Sequence, residues 1–165
     1  METIRRAVVA DAAAIRDVLV ASFADAFDGV LDAEEIAAIC EKTFSANGIE
    51  ETVGRAGAIA LVALTDGTVS GHGLASVDGD IMTLHRLYVR PRGRGRGLGG
   101  QLLAAICAAA GPVREHRLHV IRSNESAIAF YRRQGFAIVA EAEDDLGPVT
   151  VPVYEMVREA AAAIP

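Results

Sequence analysis

The stretch Leu87-Tyr88-Val89-Arg90-Pro91-Arg92-Gly93-Arg94-Gly95-Arg96-Gly97-Leu98-Gly99-Gly100 decides how the chain is read. It begins at the end of an apolar run, Ile81 to Val89, that reads as a strand. It ends in a helix marked by Leu98, Leu102, Leu103, Ile106 and Ala110 at helical spacing, stopped by Gly111-Pro112. Glycines between the two let the backbone turn sharply and aim successive N–H groups at one point. The first turn of the helix adds unpaired N–H groups and the positive end of its dipole. Together these make a phosphate site, to which Arg90, Arg92, Arg94 and Arg96 add charge and forked donors. A flexible surface turn rich in arginine would share the composition, but not the flanking strand and amphipathic helix.

On the N-terminal side, Thr3 to Val8 reads as a strand and Asp11 as the N-cap of a helix. In that helix Ile15, Val18, Leu19, Ser22, Phe23, Ala26 and Phe27 share one face, and Gly29 breaks it. Asp32 caps a second helix through Ile36, Ile39 and Cys40 to about Phe44. Ala58 to Leu64 is a short buried strand, Asp66-Gly67 a hairpin turn, Thr68 to Val77 the returning strand, and Asp78-Gly79-Asp80 another turn. Beyond the glycine loop and its helix, Arg117 to Arg122 reads as a strand. Glu125 to Arg133 reads as a helix capped by Asn124 and ended at Gly135. Phe136 to Glu141 and Val149 to Met156 read as a closing antiparallel pair around Leu146-Gly147-Pro148, with Pro152 implying an edge position or a bulge. The order is β-α-α-β-β-β-α-β-α-β-β, an α/β (α+β) domain with a mixed, largely antiparallel sheet flanked by helices.

The 165 residues suit a single domain, 1–165, and 52% hydrophobic residues suffice for a core without disulfides or metals. No apolar run approaches the ~20 residues of a spanning helix, and the N-terminus lacks the apolar core of a secretory signal. The expectation is a cytoplasmic protein with no membrane partner. Cys40 and Cys107 have no metal or redox spacing and read as two buried helical thiols; no metal site is expected. Five of the 16 basic residues (Arg86, Arg90, Arg92, Arg94, Arg96) fall in one short stretch with no acidic residue among them. The rest of the chain carries 22 acidic residues against eleven basic ones. That is a local anion site on an acidic body, not a nucleic-acid surface.

Gly95-x-Gly97-x-x-Gly100 formally matches a dinucleotide fingerprint, but His119, Val120, Ile121 and Arg122 stand where its acidic residue belongs. A nucleotide-dependent oxidoreductase and a non-catalytic coenzyme A- or RNA-binding module are therefore the alternatives. A Walker loop is excluded, because no Gly-Lys-Ser/Thr exists.

Arg94-Gly95-Arg96-Gly97-Leu98-Gly99 resembles the Gln/Arg-x-x-Gly-x-Gly/Ala pyrophosphate loop of the GCN5-related N-acetyltransferases (the GNAT superfamily). Asn124 to Phe136 resembles that family's Asn-x-x-Ala-x-x-x-Tyr-x-x-x-Gly-Phe block. The two occur in the family's order at a suitable separation. The resemblance implies a GNAT-like sheet and an N-acetyltransferase using acetyl-CoA. It implies that Arg94, Gly95, Arg96, Gly97, Leu98, Gly99 and Gly100 hold the pyrophosphate, while Leu87, Tyr88 and Val89 bind the pantetheine arm as an added strand. An N–H near Val89 would polarise the thioester carbonyl. Asn124 would contact the cofactor or cap its helix, and Tyr131 would protonate the departing thiolate. A homodimer is compatible with the family.

Family members often carry a Glu base on the strand before the loop; here Thr83 and His85 occupy those positions. His85 can accept a proton near neutral pH or can be an ordinary strand histidine. His72 is a second candidate, a water chain is a third, and His116 and His119 read as surface or edge residues. The resemblance implies a small-molecule or peptide amine as acceptor, framed by the N-terminal helix pair and the last hairpin. Asp25, Asp28, Asp32, Glu34 and Glu35 on one side, with Glu141, Glu143, Asp144 and Asp145 on the other, suggest that it is cationic.

Overall fold

The computed structural model describes residues 1–160. Seven strands form one sheet: β1 (Glu2–Arg6), β2 (Ile59–Thr65), β3 (Thr68–Asp78), β4 (Ile81–Val89), β5 (Glu115–Ile121), β6 (Ala137–Leu146) and β7 (Val149–Glu159). Their order across the sheet is β1-β2-β3-β4-β5-β7-β6, and the β4–β5 pair is parallel while the others are antiparallel. Five α-helices flank it: α1 (Ala12–Ala26), α2 (Ala33–Thr43), α3 (Ala46–Gly54), α4 (Leu98–Ala110) and α5 (Glu125–Arg133). This is the α/β, mostly antiparallel architecture expected from the sequence, with one added helix. The sequence signal for α3 is its N-cap: Ser45 Oγ accepts from Gly48 N at 3.2 Å. Asn47 and Gly48 in its first turn weaken the helical propensity that would have announced it.

The sheet separates two apolar cores. On one face Leu98, Leu102, Leu103 and Ile106 of α4, with Ile128 and Tyr131 of α5, pack on Leu61, Ala75, Met82, Leu84, Leu118 and Met156. On the other, Ile15, Val18, Leu19 and Phe23 of α1 and Ile39 and Cys40 of α2 pack with Phe44 on Val62 and Val69. Burying the periodic stripes of α1 and α4 is what fixes these helices, as isolated helices of their length are marginal in water. Alpha-4 lies so close to β3 that a Cβ on Gly73 would stand 2.3 Å from Ile106 Cδ1.

Local chemistry explains where the elements begin and end. Asp32 caps α2 as expected, accepting from Glu35 N at 2.8 Å, while Glu35 accepts in return from Asp32 N. Asp66 (φ 49°) and Gly67 (φ 80°) form the β2–β3 turn. Asp11 departs from expectation. It precedes α1, but its carboxylate makes no cap on that helix; it accepts from Val8 N at 2.8 Å and from both Arg5 terminal nitrogens at 2.8 and 3.0 Å. The reason is a short 3-10 turn, Val9–Asp11, that puts Asp11 at the end of one turn instead of at the head of the next.

Pro152 also needs correction at the level of the strand. Beta-7 lies inside the sheet, and the bulge of the β6–β7 pair falls at Ile138/Ala140. The proline is accommodated because β5 pairing ends at Ile121↔Val153, and Pro152 O then accepts from Arg122 N at 3.0 Å. Its missing N–H therefore points off the end of β5, a position that is edge-like locally. Cys40 and Cys107 lie in α2 and α4 as free thiols; Cys40 is buried, and Cys107 is half-buried and accepts from Arg158 at 3.2 Å. His116, read as a surface or edge residue, is buried, with Nδ1 facing Arg158.

Gly73→Ala is expected to cost about 1–3 kcal/mol through overpacking. Combining it with Ile106→Val should recover part of that loss, a non-additivity readable in denaturant midpoints.

Candidate active site

Beta-4 and β5 pair over four residues, Ile81↔Glu115 to Leu84↔Leu118, and then separate. Beta-5 stays with β7 as far as Ile121↔Val153, while β4 stays with β3 to Gly71↔Val89. The separation starts at a bulge: Ala75 is opposite Leu84 but Leu74 is opposite Arg86, so His85 is the extra residue on β4. A bulge bends and twists its strand, here at the level where β5 is lost as a partner.

Beyond the bulge, Arg90 N–H donates to Ser70 O at 2.8 Å. With Val89 opposite Gly71 and Leu87 opposite Gly73, antiparallel alternation turns the N–H and C=O of Leu87 and Val89 away from β3, into the gap. The main-chain groups of Tyr88 point to β3 instead. Val89 O is partly engaged, accepting from Ser22 Oγ at 3.2 Å and Arg94 Nε at 3.3 Å. A gap bordered by unladdered strand groups can take an extended ligand by strand addition.

The glycine loop leaves β4 at this gap. Gly95 (φ 81°) and Gly97 (φ 76°, the N-cap of α4) have left-handed backbones, with open space where a Cβ on Gly95 would sit. At Gly99 and Gly100 the helix faces α5: Cβ atoms there would stand in ordinary contact, 3.5 Å, with the Phe130 ring and Gln134 Nε2. The first helical bond, Gln101 N to Gly97 O at 3.0 Å, leaves the N–H groups of Leu98, Gly99 and Gly100 at the free end of α4. The cradle therefore fits a diphosphate on its own geometry.

The arginines divide. Arg92 and Arg96 are exposed. Arg90 Nε donates to Val69 O at 3.1 Å, and Arg94 is ion-paired to Asp25 of α1. Arg86 is not part of the loop's cluster: its Cζ lies 5.6 Å from the Phe44 ring centroid, on the α1–α2 face. Arg86 thus stands apart from the four loop arginines that follow it in sequence. The sheet is not the doubly wound parallel sheet that the dinucleotide fingerprint presupposes.

A cavity of about 370 Å³ opens where the strands part, lined by Thr83, His85 and Tyr88 of β4, Arg117, His119 and Ile121 of β5, and residues of the β6–β7 hairpin. His85 hydrogen-bonds Ser76 Oγ through Nε2 at 2.7 Å; burial, then the nearby Arg86 charge, pushes its imidazole below the usual value. It is neutral at pH 7 and can accept a proton. Tyr131 of α5 is 9% exposed, its ring edge-on to Phe130 and Phe136. Burial, then the Tyr88 phenol, raises its hydroxyl well above the ordinary phenol range. Asn124 caps α5, its Oδ1 accepting from Ala127 N at 3.2 Å.

His72 is excluded as a base. It is 1% exposed beneath the α1–α2 layer, with Nδ1 on Leu61 O at 3.0 Å.

His119, read as a surface or edge residue, is exposed on β5 and also lines the cavity. Its Nδ1 is 3.0 Å from both Asp144 oxygens and its Nε2 is 3.7 Å from Glu155. Arg117 beside it is held by Glu115 and Glu155. Alternation of Arg117, His119 and Ile121 along β5 was the available signal. Of the acidic side chains expected to frame a cationic acceptor, Asp144 lines the cavity and is engaged by His119; Asp25 holds Arg94, and Asp32 and Glu35 are spent on capping α2. Among the described residues no cluster of His, Cys, Asp or Glu is placed for a metal ion, and no helix is long and apolar enough to cross a membrane.

A sequence model of the acetyltransferase (GNAT) family matches residues 19–136. No curated protein matches the chain. Among solved structures, the PaiA N-acetyltransferase of Thermoplasma acidophilum, in complex with coenzyme A, superposes with a TM-score of 0.83 at 23% identity, over 97% of this chain and 99% of that one. A GCN5-related N-acetyltransferase from Rhodopseudomonas palustris gives 0.80 at 20% identity, over 97% and 96%. The ribosomal-protein-S18-alanine N-acetyltransferase of Escherichia coli gives 0.71 at 23% identity, over 99% and 96%.

Burial pushes the His72 imidazole down to about 4. Its native form stays neutral while the unfolded form binds a proton below about 6.5. Its contribution to stability is therefore full above about 6.5 and is lost as pH falls through about 4, roughly 3 kcal/mol in all. His72→Asn should show a shallower loss of unfolding free energy than wild type between pH 7 and 4, measured by denaturant titration at each pH.

Proposed function

Because the chain belongs to the acetyltransferase (GNAT) family, we propose that it transfers an acetyl group from acetyl-CoA to a primary amine by direct attack. The observation that carries this reading is the juxtaposition of the β4–β5 gap with the Gly95–Gly100 cradle: an extended thiol-bearing arm and a diphosphate are the two parts of one ligand. The N–H groups of Gly95 to Gly100 hold the pyrophosphate, with Arg96 and the Asp25-anchored Arg94 supplying charge. Leu87 and Val89 hold the pantetheine arm through the main-chain groups that face the gap, Tyr88 framing it with its side chain. Asn124 fixes the start of the helix that carries Tyr131.

Val89 N–H polarises the thioester carbonyl as negative charge gathers on its oxygen. The amine nitrogen bonds to the carbonyl carbon, the carbon–sulfur bond breaks, and the sulfur takes a proton from Tyr131. The raised Tyr131 phenol is fully protonated at neutral pH, as an acid must be before it acts. A thiolate shielded from water by the bound arm would be raised in basicity too, which narrows the difference between proton donor and acceptor. The proton shed by the amine goes to His85, directly or through water.

Thiol release from acetyl-CoA across an amine panel tests the reading. Tyr131→Phe should lower kcat by ~100-fold or more while calorimetric coenzyme A affinity persists; an unchanged rate removes Tyr131 from the mechanism. Gly97→Val, which forces a side chain onto a φ of 76° over the cradle, should weaken coenzyme A binding by an order of magnitude or more. Folded protein giving no heat with any coenzyme A derivative would end the proposal.

A further inference from the structure

Resting on the acyltransfer reading above, we infer that the amine acceptor also bears a carboxylate, in the manner of a free amino acid, and that Arg86 receives it. Arg86 lies on β4 between His85 and Tyr88, both of which line the cavity. Its guanidinium sits over the Phe44 ring, and Tyr88 packs edge-on to that ring at 6.4 Å between centroids. Its Nη1 is buried without a hydrogen-bond partner. Among the described residues no carboxylate figures among the charges that act on it; its charge is instead felt by His72, His85 and Tyr88, none of which is an anion at neutral pH.

An arginine does not escape burial by losing its proton. A buried cation left without an opposite charge is costly, and a planar carboxylate meets its forked donors two at a time. The titratable side chains that line the cavity beside it are engaged by neighbours: Arg117 by Glu115 and Glu155, His119 by Asp144. Arg86, beside the cavity, is thus a charged group with no charged partner among the described residues, and its charge is positive. A carboxylate on Arg86 leaves the amine of the same small molecule beside His85 and the thioester.

The test compares free amino acids with their carboxamides as acceptors, following thiol release from acetyl-CoA. The two members of each pair share an α-amine and differ in the charge at issue. We expect kcat/KM to favour the amino acid by about tenfold or more, chiefly through KM. Arg86→Gln should bring the ratio close to one. Equal rates for the pairs, or faster carboxamides, would overturn the carboxylate assignment and leave acyltransfer standing; no thiol release with any amine would remove both. Should Arg86→Gln fail to fold, the thermal midpoint of the wild-type protein with coenzyme A decides. It should rise more with an amino acid than with its carboxamide, and an equal rise counts against the inference.

Discussion

Beta-4 and β5 run together for four residue pairs and then leave each other, and each keeps its outer partner. Main-chain N–H and C=O groups that lose a ladder partner must find another or face water. Here they border a gap that no element among the described residues fills. Ser22 of α1 and Arg94 of the loop each take a share of Val89 O, so the gap is braced from both sides of the sheet. The bulge at His85 ties this opening to the chemistry, because one backbone irregularity both bends the strand and turns a histidine into the opening.

The two helical layers have different tasks around that gap. Alpha-4 is packed closely on β3, with Gly73 below Ile106, and its first turn at Gly99 lies beside Phe130 of α5, the residue before Tyr131. Such close packing makes a site precise, since side chains locked by their neighbours need no reordering when a ligand arrives. The α1–α2 layer is more polar at its sheet surface. It encloses His72, Arg86 and Tyr88 beside Phe44, and two polar atoms there, His72 Nε2 and Arg86 Nη1, lack partners. Close packing and unpartnered polar atoms thus lie on opposite faces of one sheet.

Charge follows the same division. Some of the acidic residues around the site are engaged: Asp25 on Arg94, Asp11 on Arg5, Glu115 and Glu155 on Arg117, Asp144 on His119. Exposed pairs of this kind contribute little stability, but they cancel fields that would otherwise direct a ligand. The amide end of α4 and Arg86 are two positive features that none of these pairs cancels.

The sequence by itself determined the element order, apart from α3, and the handover from strand to loop to helix at Val89–Leu98. These depend on local preferences: caps at Asp32 and Asn124, positive φ at Gly67, Gly95 and Gly97, and apolar spacing along α1 and α4. The Asn124 to Phe136 motif likewise pointed to Tyr131 before any packing was known. Tertiary structure decided what depends on neighbours distant in the chain. Only the folded sheet separates Arg86 from the loop arginines it adjoins in sequence, because the bulge at His85 shifts the register and aims it at Phe44, 42 residues earlier. Only the fold brings His119 to Asp144 and Glu155, and only the fold buries His72 and His116. A histidine in an alternating strand reads the same whether its face meets water, a helix or a cavity, since that difference is supplied by what packs against the sheet.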